Sequence, residues 1–262
     1  MGRYAGTVRQ GSIAWQEDAI SPPLSLRSIP TFASGAAATT AAVIATLGAR
    51  AGTRTAHRIQ PILRAWARGW LVPAGARLRI EHAERIEPGQ QYVVVSNHLS
   101  NLDPMVHLGA MPLPLRFLAM RELFDLPVIG SAMRRIGMIE VDRGNADSAE
   151  IARGVRSALR DGASVLVYPE GETSHDGSLG RFHIGAFALA IEHGLPVLPI
   201  ATIGTREIWA PGSNVIRSGA VVLLVQEPLP THGMSRLDAI GLRERTRAVI
   251  AAACHEPVHE EQ

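Results

Sequence analysis

The chain has a single cysteine, Cys254, among 262 residues and no lysine, so all 26 of its basic side chains are arginines. One thiol cannot close an internal disulfide, and no second cysteine completes a CxxC metal or redox motif; a reducing compartment is expected. Aromatic residues make up only 5% of the chain, and no basic cluster with interleaved aromatics is present, so nucleic acid is not an expected partner. Also missing is a GxSxG elbow, which argues against a serine hydrolase of the α/β type. The net charge is +2 and the sequence pI about 9.2, a balance that favours contact with an anionic surface. A hydrophobic share of 46% and a charged share of 19% are those of a globular chain, long enough to bury one sizeable core.

Residues 1–55 are rich in Gly, Ala, Ser, Thr and Pro and read as a weakly structured or membrane-associating leader, set apart from a domain over 56–262. Within the leader, Ser28 to Ala49 carries no charge and is long enough to span a bilayer, but it is built from Ala and Thr rather than Leu, Ile or Phe. Glu17 and Asp18 ahead of it speak against a secretory signal. From Pro61 to Pro73 a helical pattern puts Ile62, Leu63, Trp66, Trp70 and Leu71 on one face and Arg64 and Arg68 on another. Such a helix suits a bilayer interface, and equally a surface helix docked on a core by its tryptophans.

Beyond residue 76, short apolar runs alternate with helical patterns. YVVVS at 92–96, MIEV at 138–141, SVLVY at 164–168, PVLPIA at 196–201 and AVVLLV at 220–225 read as buried strands. Asp147 and Glu150 have capping-box spacing before Ile151, Val155 and Leu159, and a second helix is expected over 182–194. Strands separated by helices imply an α/β layered domain with a mixed, largely parallel sheet flanked by helices.

Directly after YVVVS stands NHLSNLD, which sets His98 and Asp103 five residues apart in the turn leaving a buried strand. A neutral imidazole can take a hydroxyl proton, and a carboxylate on its other nitrogen fixes the tautomer and stabilises the imidazolium. This is a triad without its serine, so the substrate's own hydroxyl is the expected nucleophile. His107, His175, His183 and His193 show no ligand spacing, and no metal site is expected.

Three further stretches follow in order: GMIEVDR at 137–143, YPEGETS at 168–174 and LPVLPIA at 195–201. Together with NHLSNLD they resemble the glycerolipid acyltransferase family, whose members include the 1-acylglycerol-3-phosphate O-acyltransferases; the likeness covers about residues 60–230. The resemblance implies a catalytic base at His98 and an orienting acid at Asp103, with Asn97 and Pro104 matching that motif's surroundings. It implies that Arg143 binds the acceptor's phosphate, that Glu170 and Gly171 are the acceptor-binding pair, and that Pro199 shapes the acyl-donor side. An arginine fork suits a phosphate, and a turn with free backbone N–H groups can hold an anion.

The implied reaction moves a fatty acyl group from acyl-CoA or acyl-carrier protein to the hydroxyl of a lysophospholipid, foremost 1-acylglycerol-3-phosphate, with no bound cofactor. The implied location is membrane-associated, at the cytoplasmic face. The third block departs from the family's common FPEGTRS: Glu172 and Thr173 stand where Thr and Arg are usual, with Arg181 a short way downstream. A lost cation and an added carboxylate oppose a phosphate dianion, which keeps other lysolipid or glycolipid acceptors open, as well as a non-catalytic lipid-binding surface protein.

Overall fold

The computed structural model describes residues 25–48, 55–142 and 148–255. Two helices come first, α1 (Ser28–Gly48) and α2 (Thr55–Ala74). The strands are β1 (Ala76–Glu81), β2 (Val93–Ser96), β3 (Leu115–Met120), β4 (Ile139–Val141), β5 (Ser164–Val167), β6 (Val197–Ile203) and β7 (Gly219–Val225). Between and after them run α3 (Asp103–Ala110), α4 (Arg121–Phe124), α5 (Ile129–Arg135), α6 (Ser148–Arg160), α7 (Gly185–Glu192), α8 (Thr205–Ile208) and α9 (Ala239–Cys254).

All seven strands form one sheet in the order β1-β7-β6-β2-β5-β3-β4, and every pairing is parallel except β6 with β7. Both faces of the sheet are covered, which is why the central strands read as unbroken apolar runs. Val94, Leu166, Leu198 and Ile200 face one core with Ile59 and Leu63 of α2 and Val106 of α3. Their neighbours Val93, Val95, Val165 and Val197 face the other, with Val155 of α6, Phe187 of α7 and Ile250 of α9. The period of two along each strand thus distributes alternate residues between two cores.

Two strands escape the apolar-run criterion. β3 carries Arg116, whose side chain is fully buried, and that charge interrupts the run LRFLAM. At the sheet edge, β1 alternates Arg77, Arg79 and Glu81 with apolar residues, and it pairs only with β7.

The expected helix over 61–73 begins earlier, at Thr55, so Pro61 lies inside it rather than at its start. Packing overrides the missing N–H: Ile59, Leu63, Ala67 and Leu71 form a stripe buried on the core. Each larger member of that stripe contributes about 1.5–3 kcal/mol by leaving water.

Residues 28–48, inside the stretch read as a weakly structured or membrane-associating leader, form the helix α1, packed along α2. The seam is made of small residues. Trp66 and Trp70 are partly buried beside this seam: Trp66 packs against the core, as the core-docking reading expects, and donates from Nε1 to the Thr39 hydroxyl of α1 at 2.9 Å. Trp70 stacks on Trp209 with ring centroids 5.8 Å apart. Among the described residues α1 is one helix long and apolar enough to cross a membrane.

Candidate active site

Strands β5, β2 and β6 are neighbours, and their carboxyl ends open on the same edge of the sheet, where ligands of open α/β sheets bind. The loop leaving β2 brings His98 to this edge, and Asp103 opens α3 a few residues later. Asp103 is fully buried, and its Oδ2 accepts from His98 Nδ1 at 2.7 Å, from the Leu99 N–H at 2.7 Å and from the Ser100 N–H at 2.9 Å. Its Oδ1 has no hydrogen-bond partner among the described residues. Because Nδ1 faces a carboxylate it is the nitrogen that carries the proton, which leaves Nε2 as the free base. His98 lines a cleft and its side chain keeps 17% exposure.

The segment after β5 completes the surroundings. The Tyr168 ring stacks on the His98 ring with centroids 4.1 Å apart and planes 16° from parallel. One Glu170 oxygen accepts the His98 backbone N–H at 2.9 Å and the other accepts the Gly180 N–H at 2.7 Å. Burial pushes the Glu170 carboxyl above its usual range, while these two N–H groups pull it back. Gly171 closes the turn at φ +80°, a conformation that favours glycine, and its N–H donates to the Tyr168 carbonyl. Ser174 N–H in turn donates to the His98 carbonyl at 2.8 Å. The third block is therefore less a turn of free donors than a strap bonded to the His98 loop.

Behind the dyad lies a buried polar chain. His107 donates from Nδ1 to the Asp103 carbonyl at 2.8 Å, and the Tyr168 hydroxyl oxygen sits 3.1 Å from the same nitrogen. His107 Nε2 is 3.4 Å from the Thr202 hydroxyl, which meets the Ser96 hydroxyl at 2.8 Å. Burial holds the His107 imidazole below its ordinary pKa, and it raises the Tyr168 phenol well above its own.

The other candidate positions divide. Asn97 is buried and exchanges two hydrogen bonds with the Thr202 backbone, so it ties β2 to β6 and does not line the cleft. Pro199 is buried within β6 opposite Val95 and also lies off the cleft wall. Arg143, and the Asp147 of the expected capping box, lie outside the described residues. Glu170, Gly171 and Glu172 all line the cleft.

The cleft has a volume of about 1100 Å³. Leu118, Met120, Leu123, Val141, Ile151 and Leu189 give it apolar walls, and Arg156, His193 and Arg236 add polar groups to them. Among the described residues no group of three or more His, Cys, Asp or Glu side chains is arranged to hold a metal ion.

A family model described as Acyltransferase matches residues 77–203, the stretch that contains His98, Asp103, Glu170 and Pro199. The matched stretch is just under half of the chain. The match is shorter than the 60–230 expected from the motifs, and it starts at β1 and ends with β6. Curated relatives include human 1-acyl-sn-glycerol-3-phosphate acyltransferase alpha, 34% identical over 66% of this chain and 62% of that protein. Human 1-acyl-sn-glycerol-3-phosphate acyltransferase beta is 29% identical over 74% of this chain and 70% of its own length. The chain thus spans about three fifths of the alpha relative. In structure, the chain resembles the crystal structure of the 1-acyl-sn-glycerophosphate (LPA) acyltransferase PlsC from Thermotoga maritima. The TM-score is 0.74, with 87% of this chain and 93% of that one covered at 21% identity, a likeness of fold.

Tyr168 and Thr202 were not singled out from the sequence, and His107 was weighed only as a metal ligand. Tyr168 sits inside the third block, where it was quotable but had no role; His107 had only its distance from Asp103, one turn along α3, as a signal.

Proposed function

We propose that the protein transfers a fatty acyl group from a thioester, acyl-CoA or acyl-carrier protein, to the free hydroxyl of a lysophospholipid, with 1-acylglycerol-3-phosphate as acceptor and phosphatidic acid as product. The observation that carries this reading is the His98–Asp103 pair on the wall of a large, mostly apolar cleft. His98 Nε2 takes the acceptor's hydroxyl proton as the oxygen attacks the thioester carbonyl. Asp103 holds Nδ1 protonated and balances the imidazolium that forms. As the tetrahedral intermediate collapses, the C–S bond breaks and the imidazolium returns its proton to the leaving thiolate. The thioester is already activated, so orientation and base catalysis suffice. The apolar walls suit the acyl chain.

Glu170 supports the site by holding the His98 loop, since both its oxygens are taken by backbone N–H groups. Arg143 is proposed as the phosphate ligand on the motif resemblance alone. An acceptor without a phosphate dianion is the second reading, favoured by one observation: Glu172 is exposed on the cleft wall. Membrane association at the cytoplasmic face is part of the proposal, supported by the uncharged helix α1.

The test is to incubate the purified full chain in detergent with one acyl-CoA and a panel of lysolipids, reading product masses. Acylated 1-acylglycerol-3-phosphate is the expected main product. His98→Ala should lower turnover by about a hundredfold or more with the fold intact, and Asp103→Asn should act in the same direction by stabilising the wrong tautomer. Wild-type turnover in His98→Ala would sink the mechanism; a stronger reaction on a phosphate-free lysolipid would move the acceptor.

A further inference from the structure

Tyr168 and His107 lie against the dyad without a part in the mechanism above. The Tyr168 ring covers one face of His98 at 4.1 Å and 16° from parallel, and its edge meets His107 at 75° with centroids 5.7 Å apart. At the other end of the phenol the hydroxyl sits 3.1 Å from His107 Nδ1. His107 is itself fixed, fully buried and bonded to the Asp103 carbonyl and the Thr202 hydroxyl. The ring on His98 is therefore pinned from behind by a group that also bonds the backbone of Asp103.

We infer that Tyr168 is a positioning residue that holds the His98 imidazole in plane and, through its π face, stabilises the imidazolium formed when His98 accepts a proton. An aromatic face attracts a cation stacked on it more strongly than it attracts the neutral ring. The stack therefore acts on the imidazolium that forms, while Asp103 fixes which nitrogen takes the proton. His107, desolvated and held neutral, adds no positive charge that would oppose this. The titratable groups against His98 are Asp103, Tyr168 and Glu170, with His107 behind Tyr168; Glu172, His183, Arg156, Glu192, His193 and Arg236 line the same cleft.

This inference rests on the proposed role of His98 as base, and its test has an arm that needs no turnover. In full-length protein labelled with ¹⁵N-histidine, the His98 ring signal is identified by its loss in His98→Gln and titrated in wild type, Tyr168→Phe and Tyr168→Leu. Tyr168→Phe keeps the stack and should titrate with wild type. Tyr168→Leu removes it and should titrate lower by about half a pH unit or more.

In the kinetic arm, the neutral base is the active form, so activity rises with pH through this titration. The acidic limb of kcat/KM should accordingly move to lower pH in Tyr168→Leu alone, with kcat falling more than KM changes. Thermal unfolding of both variants checks that the fold persists. An unmoved His98 titration in a folded Tyr168→Leu protein, or an equal shift in Tyr168→Phe, overturns the inference. Loss of acyl transfer as the reaction would leave the NMR result standing, so the two failures are distinguishable.

Discussion

Glu170 does what an amide in its place could not. Its two oxygens each accept a backbone N–H, from His98 and from Gly180, whereas a glutamine would turn its NH₂ toward one of those donors. Its raised pKa also has a sign. A folded-state value above that of the unfolded chain means that its contribution is fully present below about 4.5 and is lost as pH rises through the folded value. Cys254 at the end of α9 is a second case of burial acting on a proton: burial first, and the Glu170 charge after it, push the thiol up to about 11. The native thiol should then react with iodoacetamide at pH 8 about a hundredfold more slowly than in the urea-unfolded chain, where the value is about 8.5. Equal rates would contradict the burial. At this scale the sequence spacing made His98 and Asp103 legible, because a short loop keeps them together. Tyr168 and His107 were not legible as partners, because their meeting depends on how β5 and α3 pack.

Elements were legible where one force dominated. The runs at 92–96, 164–168, 196–201 and 220–225 became strands buried on both faces, whereas β1 and β3 carry arginines that hide them from a reading by apolar runs. The α1–α2 pair shows a different limit: α1 has little amphipathic signal because its seam is made of small residues rather than large apolar ones. A Cβ added at Gly69 would lie 2.3 Å from the Ala38 Cβ, and one at Gly35 would lie 2.3 Å from the Trp70 ring. Gly69→Leu should therefore part the helices and cost about 1–3 kcal/mol, seen as a lower Tm and a shift in tryptophan fluorescence as Trp66 loses Thr39. Gly241→Ala makes the control, since a Cβ there meets nothing within 4 Å among the described residues and α9 should gain about 0.5–1 kcal/mol. Equal stabilities for the two variants would mean that the seam is not packed as described.

For the whole molecule, the alternation of strands and helices gave the layered architecture, but which helix faces outward is a product of assembly. The tryptophans of α2 suited a bilayer interface and a core equally; in the fold they face the core and α1, and α1 takes the outer position. That helix has 21 residues and no charge, hence a length of about 31 Å, comparable to the hydrocarbon thickness of a bilayer. Ile29, Ile44 and Leu47 are exposed on it, with Leu26 just ahead and Val72 exposed on α2. If these side chains are the lipid contact, Ile44→Glu with Leu47→Glu should weaken vesicle binding at least about tenfold, since burying each apolar side chain is worth about 1.5–3 kcal/mol. Trp66→Phe with Trp70→Phe should float with anionic vesicles as the wild type does. Salt separates the two forces: binding through this face persists at about 1 M salt, where charges are screened beyond about 3 Å, and binding through the arginines does not. Flotation by the double glutamate variant that matches wild type at both low and high salt would remove α1 from the membrane contact and return that role to another surface of the domain.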